Sequence, residues 1–158
     1  MIEETKKILE ELIAPPDLIQ QFVALLKEKK IGVEQRDDRR AKYFLATNTD
    51  KKILVLAHES SKDGWWGIGG DLIGRVRKLE EERKFDLTGW GAALIDEKPD
   101  RGYWLTGDAI LELNEIGLVR LDSQGKYHFN RNVLQAQTEL VNAFSSIERF
   151  LLLTGLKA

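Results

Sequence analysis

Residues 53–78 have the sequence ILVLAHE, then SSKDGWWGIGG, then DLIGRVRK, and this stretch decides the fold. Its first part, residues 53–57, is apolar without alternation, which is typical of a central strand covered on both faces. Its last part has apolar residues at helical spacing, so we predict a helix over residues 71–83. Functional side chains often lie where a buried strand runs into a loop before a helix, so the end of this strand is the first candidate for a site.

The same patterns, followed along the chain, predict an α/β fold with a central mixed sheet flanked by helices. Two N-terminal helices precede the sheet, and a C-terminal hairpin and one long C-terminal helix follow it. The predicted helices cover residues 2–13, 18–30 with Asp17 as N-cap, 71–83, 108–115 and 130–153. The predicted strands cover residues 33–36, 41–47, 52–58, 88–95 and 102–105, and the hairpin joins residues 118–122 to 126–129.

Length and composition indicate one soluble domain over residues 1–158, with a core of about residues 17–95 and a hairpin and helix over residues 101–158. The chain is 42% hydrophobic and 32% charged, which is ordinary for a globular protein. A chain of this length buries about two-thirds of its unfolded surface. Charge is mixed into the N-terminal segment and apolar runs stay well below about 18 residues, so we expect a cytoplasmic location.

Two further features of the composition exclude or weaken classes of function. Cysteine is absent, which excludes disulfides, thiol nucleophiles and cysteine-ligated zinc. The formal net charge is −2, whereas proteins that hold duplex DNA nonspecifically usually carry a clear basic excess. A role in binding nucleic acid would therefore have to rest on local basic patches.

Charged residues gather where the apolar run of residues 53–57 ends. His58, Glu59 and Lys62 follow it, and Asp37 or Asp38 comes from the preceding extended segment. Two carboxylates from neighbouring strands can hold Mg²⁺, and a nearby lysine can orient water or stabilise developing charge. We therefore take His58, Glu59 and Lys62 as candidate catalytic residues and Asp37, Asp38 and Glu59 as candidate metal ligands. The alternative is a strand end that merely emerges into solvent, where charged residues are expected.

The predicted order of a helix, three strands, a helix and a strand over about residues 17–95 resembles the core of the PD-(D/E)xK, or restriction-endonuclease-like, nuclease superfamily. In that family an acidic residue on the second strand and a Glu-x-Lys on the third bind metal and activate water. The resemblance implies Mg²⁺-dependent phosphodiester hydrolysis by Glu59 and Lys62. Glu59-Ser60-Ser61-Lys62 has one residue more than the family's motif. The resemblance thus implies an altered or displaced site, or an inactive one.

Basic and aromatic residues near this strand form a candidate nucleic-acid surface. Arginine suits phosphate, and exposed aromatic rings stack on bases. The candidates are Arg39, Arg40, Trp65, Trp66, Arg75 and Arg77. A solvated helix face explains the two later arginines equally well, since residues 80–82 are all glutamate, and aromatic residues are more often part of a core.

A second hypothesis belongs to another class of function. The chain would then be a non-catalytic protein–protein interaction module that uses the loop of Trp65 and Trp66 and the C-terminal helix. Residues 150–153 are apolar nearly all round that helix, more than one covered face requires, so a homodimer through the C-terminal helix is also predicted.

Overall fold

A computed structural model of the chain describes residues 17–35, 43–60 and 64–157. Within these ranges the architecture is a mixed sheet flanked by helices, which confirms the predicted fold class. The predicted helix over residues 2–13 lies outside the described residues. No helix in the described ranges is both long and apolar enough to cross a membrane.

The described strands form one six-stranded sheet and one two-stranded sheet. The strands are β1 Gly32–Gln35, β2 Tyr43–Asn48, β3 Lys51–Glu59, β4 Trp65–Gly69, β5 Gly89–Ile95, β6 Gly102–Thr106, β7 Lys126–Asn130 and β8 Asn142–Phe144. The larger sheet has the order β1-β2-β3-β5-β6-β8, and the smaller one pairs β4 with β7. Strand β3 is parallel to β5, and the other neighbours are antiparallel.

Helices cover both faces of the larger sheet. The helices are α1 Leu18–Glu28, α2 Gly70–Glu81, α3 Gly107–Glu115, α4 Arg131–Ala136 and α5 Ile147–Thr154. One face, called face A here, packs against α2, α3, α4 and the β4–β7 pair. The opposite face, face B, packs against α1 and α5. Strand β3 supplies apolar side chains to both faces, as its unbroken apolar run predicts.

The predicted N-cap of the second helix is confirmed. The Asp17 carboxylate accepts a hydrogen bond from the Gln20 backbone N–H at 2.7 Å, and the Gln20 side chain accepts one from the Asp17 N–H at 3.1 Å. This reciprocal capping satisfies two amides that a helix start leaves without partners. Helix α1 ends at Glu28, two residues before the predicted end, because Lys30 has a positive φ of 63° that a helix cannot accommodate.

The prediction of one long helix over residues 130–153 is wrong. The segment forms α4, then strand β8 on the edge of the sheet, then α5. Each helix has its own N-cap: the Asn130 side chain accepts from the Asn132 N–H at the start of α4, and the Ser146 hydroxyl accepts from the Arg149 N–H at the start of α5. Val141 lies in an irregular segment and Phe144 in β8, and both are buried. Their helical spacing therefore does not reflect a helix.

Two further local predictions differ from the structure. Residues 118–122 do not form a strand of a hairpin; they contact β7 through an isolated bridge between Leu121 and Tyr127 and through the Asp122 carboxylate, which accepts from the Lys126 N–H. Strand β7 instead pairs with residues 65–69, which we had predicted to be loop. Trp66 and Ile68 alternate with half-buried Gly67 there, and this period of two is the signature of a half-buried strand.

Candidate functional site

One edge of the larger sheet brings together the segments in which the site was predicted. Residues Glu59, Ile95, Gly102 and Phe144 lie side by side on neighbouring strands and form one row across this edge. Strand β1 ends and β2 begins at the same edge, since Gln35 pairs with Phe44 and Tyr43 with Leu56. Residues 36–42 and 61–63, which are not described, are therefore both flanked by residues of this edge. We call it the Glu59 edge.

Glu59 is the last residue of β3, and its side chain is exposed. Alternation along the strand places it on the side of Val55 and Ala57, which belong to face B. His58 has the opposite parity and lies on the side of Leu54 and Leu56, which belong to face A. His58 is also buried. The structure thus separates the two candidate catalytic residues of β3 onto opposite faces of the sheet.

The remaining members of the predicted metal and catalytic set lie outside the described residues. These are Asp37, Asp38 and Lys62, together with the candidate nucleic-acid residues Arg39 and Arg40. Their roles stay predictions. The flanking residues fix only the distance along the chain: Asp38 precedes Tyr43 by five residues, and Tyr43 pairs with Leu56, which is three residues before Glu59.

An acidic residue that the sequence analysis missed lies on the same edge. Asp96 follows β5 directly, is buried, and forms a two-pronged ion pair with Arg131 at the start of α4. Arg131 donates from Nε to Asp96 Oδ2 at 3.0 Å and from Nη2 to Oδ1 at 2.5 Å. This geometry is the strong form of a charge-assisted hydrogen bond, and the bond to Asp96 raises the pKa of Arg131 above its usual value.

A signal for Asp96 was present in the sequence. Glu59 ends the apolar strand β3 and Asp96 directly follows the apolar strand β5, and the ends of parallel neighbouring strands meet at one edge. Its partner is not predictable in the same way, because Arg131 comes from an element 35 residues later. Both carboxylate oxygens of Asp96 thus accept hydrogen bonds from Arg131.

Arg131 also fixes the end of the segment that carries Lys62. Its backbone N–H donates to the Gly64 carbonyl at 3.0 Å. A Cβ atom on Gly64 would lie 2.6 Å from the Arg131 guanidinium carbon, and Gly64 has a φ of +69°. Glycine is therefore favoured there for two reasons, the backbone conformation and the close approach of the arginine. Asp96, Arg131 and Gly64 together connect β5, α4 and the segment after Glu59.

Only some of the candidate nucleic-acid residues on β4 and α2 are accessible to a ligand. Trp66 is fully buried, and its indole N–H donates to the Ile95 carbonyl at 3.0 Å. A ring in this position cannot stack on a base, so the core alternative holds for Trp66. Trp65 is half-buried and stacks on His128, with 4.4 Å between ring centroids. Arg75 and Arg77 are exposed on α2, which covers face A, whereas Glu59 projects on the side of face B.

A cleft opens at the far end of the Glu59 edge, between β6, β8 and α5. It has a volume of about 520 Å³. Its lining combines two arginines and two serines with backbone and aromatic groups. The lining residues are Asp96, Arg101, Gly102, Tyr103, Ala143, Phe144, Ser145, Ser146 and Arg149. We call it the β6–α5 cleft.

The described residues alone do not make a metal centre. Within residues 17–35, 43–60 and 64–157, no three His, Asp or Glu residues are grouped closely enough to hold a metal ion. Glu59 offers an exposed carboxylate of the kind that Mg²⁺ accepts, while the carboxylate of Asp96 is taken by Arg131.

Comparison with known proteins supports the fold. The structure is similar to that of Hjc, a Holliday junction resolvase from the archaeal hyperthermophile Archaeoglobus fulgidus, with a TM-score of 0.54. The match covers 83% of this chain and 89% of the resolvase at 8% sequence identity. Hjc is a restriction-endonuclease-like PD-(D/E)xK nuclease, so the predicted resemblance in fold is confirmed. No protein-family model matches the sequence, and no curated protein does.

Proposed function

We propose that this protein acts on nucleic acid through the Glu59 edge and hydrolyses phosphodiester bonds with a divalent metal ion. The observation that carries the proposal is topological. In a fold shared with a Holliday junction resolvase, the end of β3 and the flanks of residues 36–42 and 61–63 all lie at one edge of the sheet. Every residue of the predicted metal set belongs to or adjoins these segments.

The proposed roles follow from the chemistry of each side chain. Glu59 and one of Asp37 and Asp38 are the metal ligands, because Mg²⁺ prefers carboxylate oxygens. Lys62 positions the attacking water and stabilises charge on the phosphate. Bound Mg²⁺ would supply neutralisation of the phosphodiester's negative charge. Arg39 and Arg40 are proposed to contact the nucleic-acid backbone, since arginine is suited to phosphate.

The Asp96–Arg131 pair supports this arrangement as a positioning device. Glu59 and Lys62 have one residue too many between them for the family's Glu-x-Lys spacing. The segment between Glu59 and Gly64 is fixed at both ends: the Ser60 N–H donates to the Ile95 carbonyl at 3.1 Å, and the Gly64 carbonyl accepts from Arg131. We therefore propose that the Asp96–Arg131 pair, which holds the chain at Gly64, is needed for the role of Lys62.

The experiment is a cleavage assay with 5′-fluorescent DNA and RNA, each single-stranded, duplex and as a four-way junction, in Mg²⁺ or Mn²⁺. We expect metal-dependent cleavage of at least one of these substrates by the wild type. Glu59→Gln should lower the rate by at least about 100-fold, the order expected when an essential positioned group is lost. Its melting temperature should stay close to that of the wild type, because an exposed strand-end residue contributes little stability.

The matched control is Glu81→Gln, which removes an exposed carboxylate from α2 on the other side of the sheet. It should cleave like the wild type. Cleavage that persists in Glu59→Gln, or that is equally strong in EDTA, would refute the proposal. If the protein is instead a non-catalytic interaction module, neither the wild type nor the variants should cleave. Adding metal should then leave every melting temperature unchanged.

We also propose that the protein forms a homodimer through α5 and that it is located in the cytoplasm. Phe150 and Leu151 of α5 are buried within their own chain, so the apolar surface left for a partner is smaller than the sequence suggests. Leu152 is 51% exposed and is the large apolar residue of α5 that remains for such a contact.

A further inference from the structure

The β6–α5 cleft lies in line with Glu59. Glu59 pairs with Ile95, Ile95 with Gly102, and Gly102 with Phe144, which lines the cleft. Neighbouring strands are about 4.8 Å apart, so Phe144 lies roughly 14 Å from Glu59, while Gly102 and Asp96, which line the same cleft, are nearer. Glu59 projects on the side of face B, which α5 covers and to which Phe144 belongs, whereas Tyr103, which also lines the cleft, belongs to face A. The α5 side of the cleft and the candidate site thus lie along the same edge of the sheet, the Glu59 edge.

Arg149 is the more available of the two arginines that line the cleft. It is exposed in the first turn of α5, and the structure gives its guanidinium no ion pair among the described residues. Its neighbour Glu148 does not neutralise it, because the Glu148 carboxylate is 2.6 Å from the Lys29 ammonium. Hydrogen bonding to Lys29 lowers the pKa of Glu148.

The other charges of the cleft are largely balanced. The buried carboxylate of Asp96 is neutralised by Arg131. Arg101 is about half exposed and is held only loosely, at 3.9 Å, by Glu97. Arg101 is therefore free to turn towards a stronger anion. The surplus positive charge in the cleft comes from Arg149, with Arg101 as its second donor.

From this geometry we infer that the β6–α5 cleft binds a backbone phosphate of the nucleic-acid strand whose scissile bond lies at Glu59. This inference rests on the proposed function. The bound phosphate lies a few nucleotides from the scissile bond on the same strand. Arg149 provides the main contact, and guanidinium groups suit phosphate because they donate in a planar fork. The cleft contributes to affinity and register, and the chemistry stays at Glu59.

The test measures binding in EDTA, so that cleavage does not enter. Fluorescence anisotropy with labelled 20-nucleotide single strands and 20-base-pair duplexes is recorded over a series of KCl concentrations. We expect Arg149→Gln to weaken binding by roughly 3- to 10-fold and to reduce the slope of log K against log [KCl] by about 0.7 to 0.9, the loss of one phosphate contact. Lys51→Gln, which removes an exposed cation at the opposite edge of the sheet, should leave both quantities unchanged.

A second measurement keeps the inference separate from the proposed function. Inorganic phosphate, added at constant ionic strength, should raise the melting temperature of the wild type and of Glu59→Gln but not of Arg149→Gln. If the wild type binds no nucleic acid and this phosphate effect is present, the proposed function fails and the cleft binds phosphate from another source. If neither nucleic-acid binding nor the phosphate effect depends on Arg149, the inference is overturned.

Discussion

At the scale of single residues, the Glu59 edge contains two kinds of acid. Glu59 is exposed at the end of β3, whereas Asp96 is buried at the end of β5 and paired with Arg131. Desolvation explains the difference: a buried carboxylate must be paired, while an exposed one is free to bind a cation. Asp96 therefore serves stability, and we propose that Glu59 is the residue that binds a ligand.

Removing the arginine from the buried pair should therefore be costly. Arg131→Met leaves the Asp96 carboxylate buried without its partner, and the free energy of unfolding should fall by about 3 kcal/mol, the lower end for broken buried pairs because Arg131 is about one-third exposed. Arg101→Met removes an exposed arginine at 3.9 Å from Glu97 and should change stability by less than about 0.5 kcal/mol. Urea denaturation measures both. Equal values for the two variants would contradict the assigned role of Asp96.

At the scale of helices and strands, the sequence predicted most of the sheet because those strands have a strong local signature. The unbroken apolar runs of β3 and β5 and the capping residues of α1 are such signals. The C-terminal segment was misjudged because apolar residues at helical spacing there are buried for reasons of tertiary packing. Pairing of β8 with β6 and of β7 with β4 is non-local, and no short pattern encodes it.

In the candidate site, too, local features were predictable from the sequence and non-local contacts were not. Glu59 was predictable as the polar end of a buried strand, whereas the separation of His58 from Glu59 follows from strand alternation and becomes clear once β3 is known to continue through Glu59. The Asp96–Arg131 pair joins residues 35 positions apart and had no local signal in Arg131.

The division of the C-terminal segment into α4, β8 and α5 can be tested, because this structure and one continuous helix predict stability changes of opposite sign. Ser146 caps α5 by accepting a hydrogen bond from the Arg149 N–H at 3.2 Å. Ser146→Ala should lower the free energy of unfolding by about 1 kcal/mol, the usual cost of losing an N-cap. In one continuous helix over residues 130–153 the same change would raise stability, because alanine is the better helix former. Thermal and urea unfolding of Ser146→Ala, with Ser145→Ala as control, distinguish the two.

At the scale of the whole molecule, the proposed dimer depends on the face of α5 that the chain's own core leaves open. Because Leu152 is the large exposed apolar residue of this helix, Leu152→Lys should convert a dimer to a monomer in light scattering. Ile116→Lys changes another exposed apolar residue, on the turn after α3, and should leave the mass unchanged. A wild type that is monomeric, or a dimer that survives Leu152→Lys, would refute a dimer through α5.

The central claim is that Glu59 shares a divalent cation with an aspartate of residues 37 and 38. Isothermal titration calorimetry with Mn²⁺ tests it most directly, using the wild type, Glu59→Gln and the double variant Asp37→Asn/Asp38→Asn. We expect saturable binding by the wild type, with affinity at least about 10-fold weaker in each variant, and a melting temperature that rises with metal only in the wild type. Binding of equal affinity in all three proteins, or no binding by the wild type, would contradict the claim.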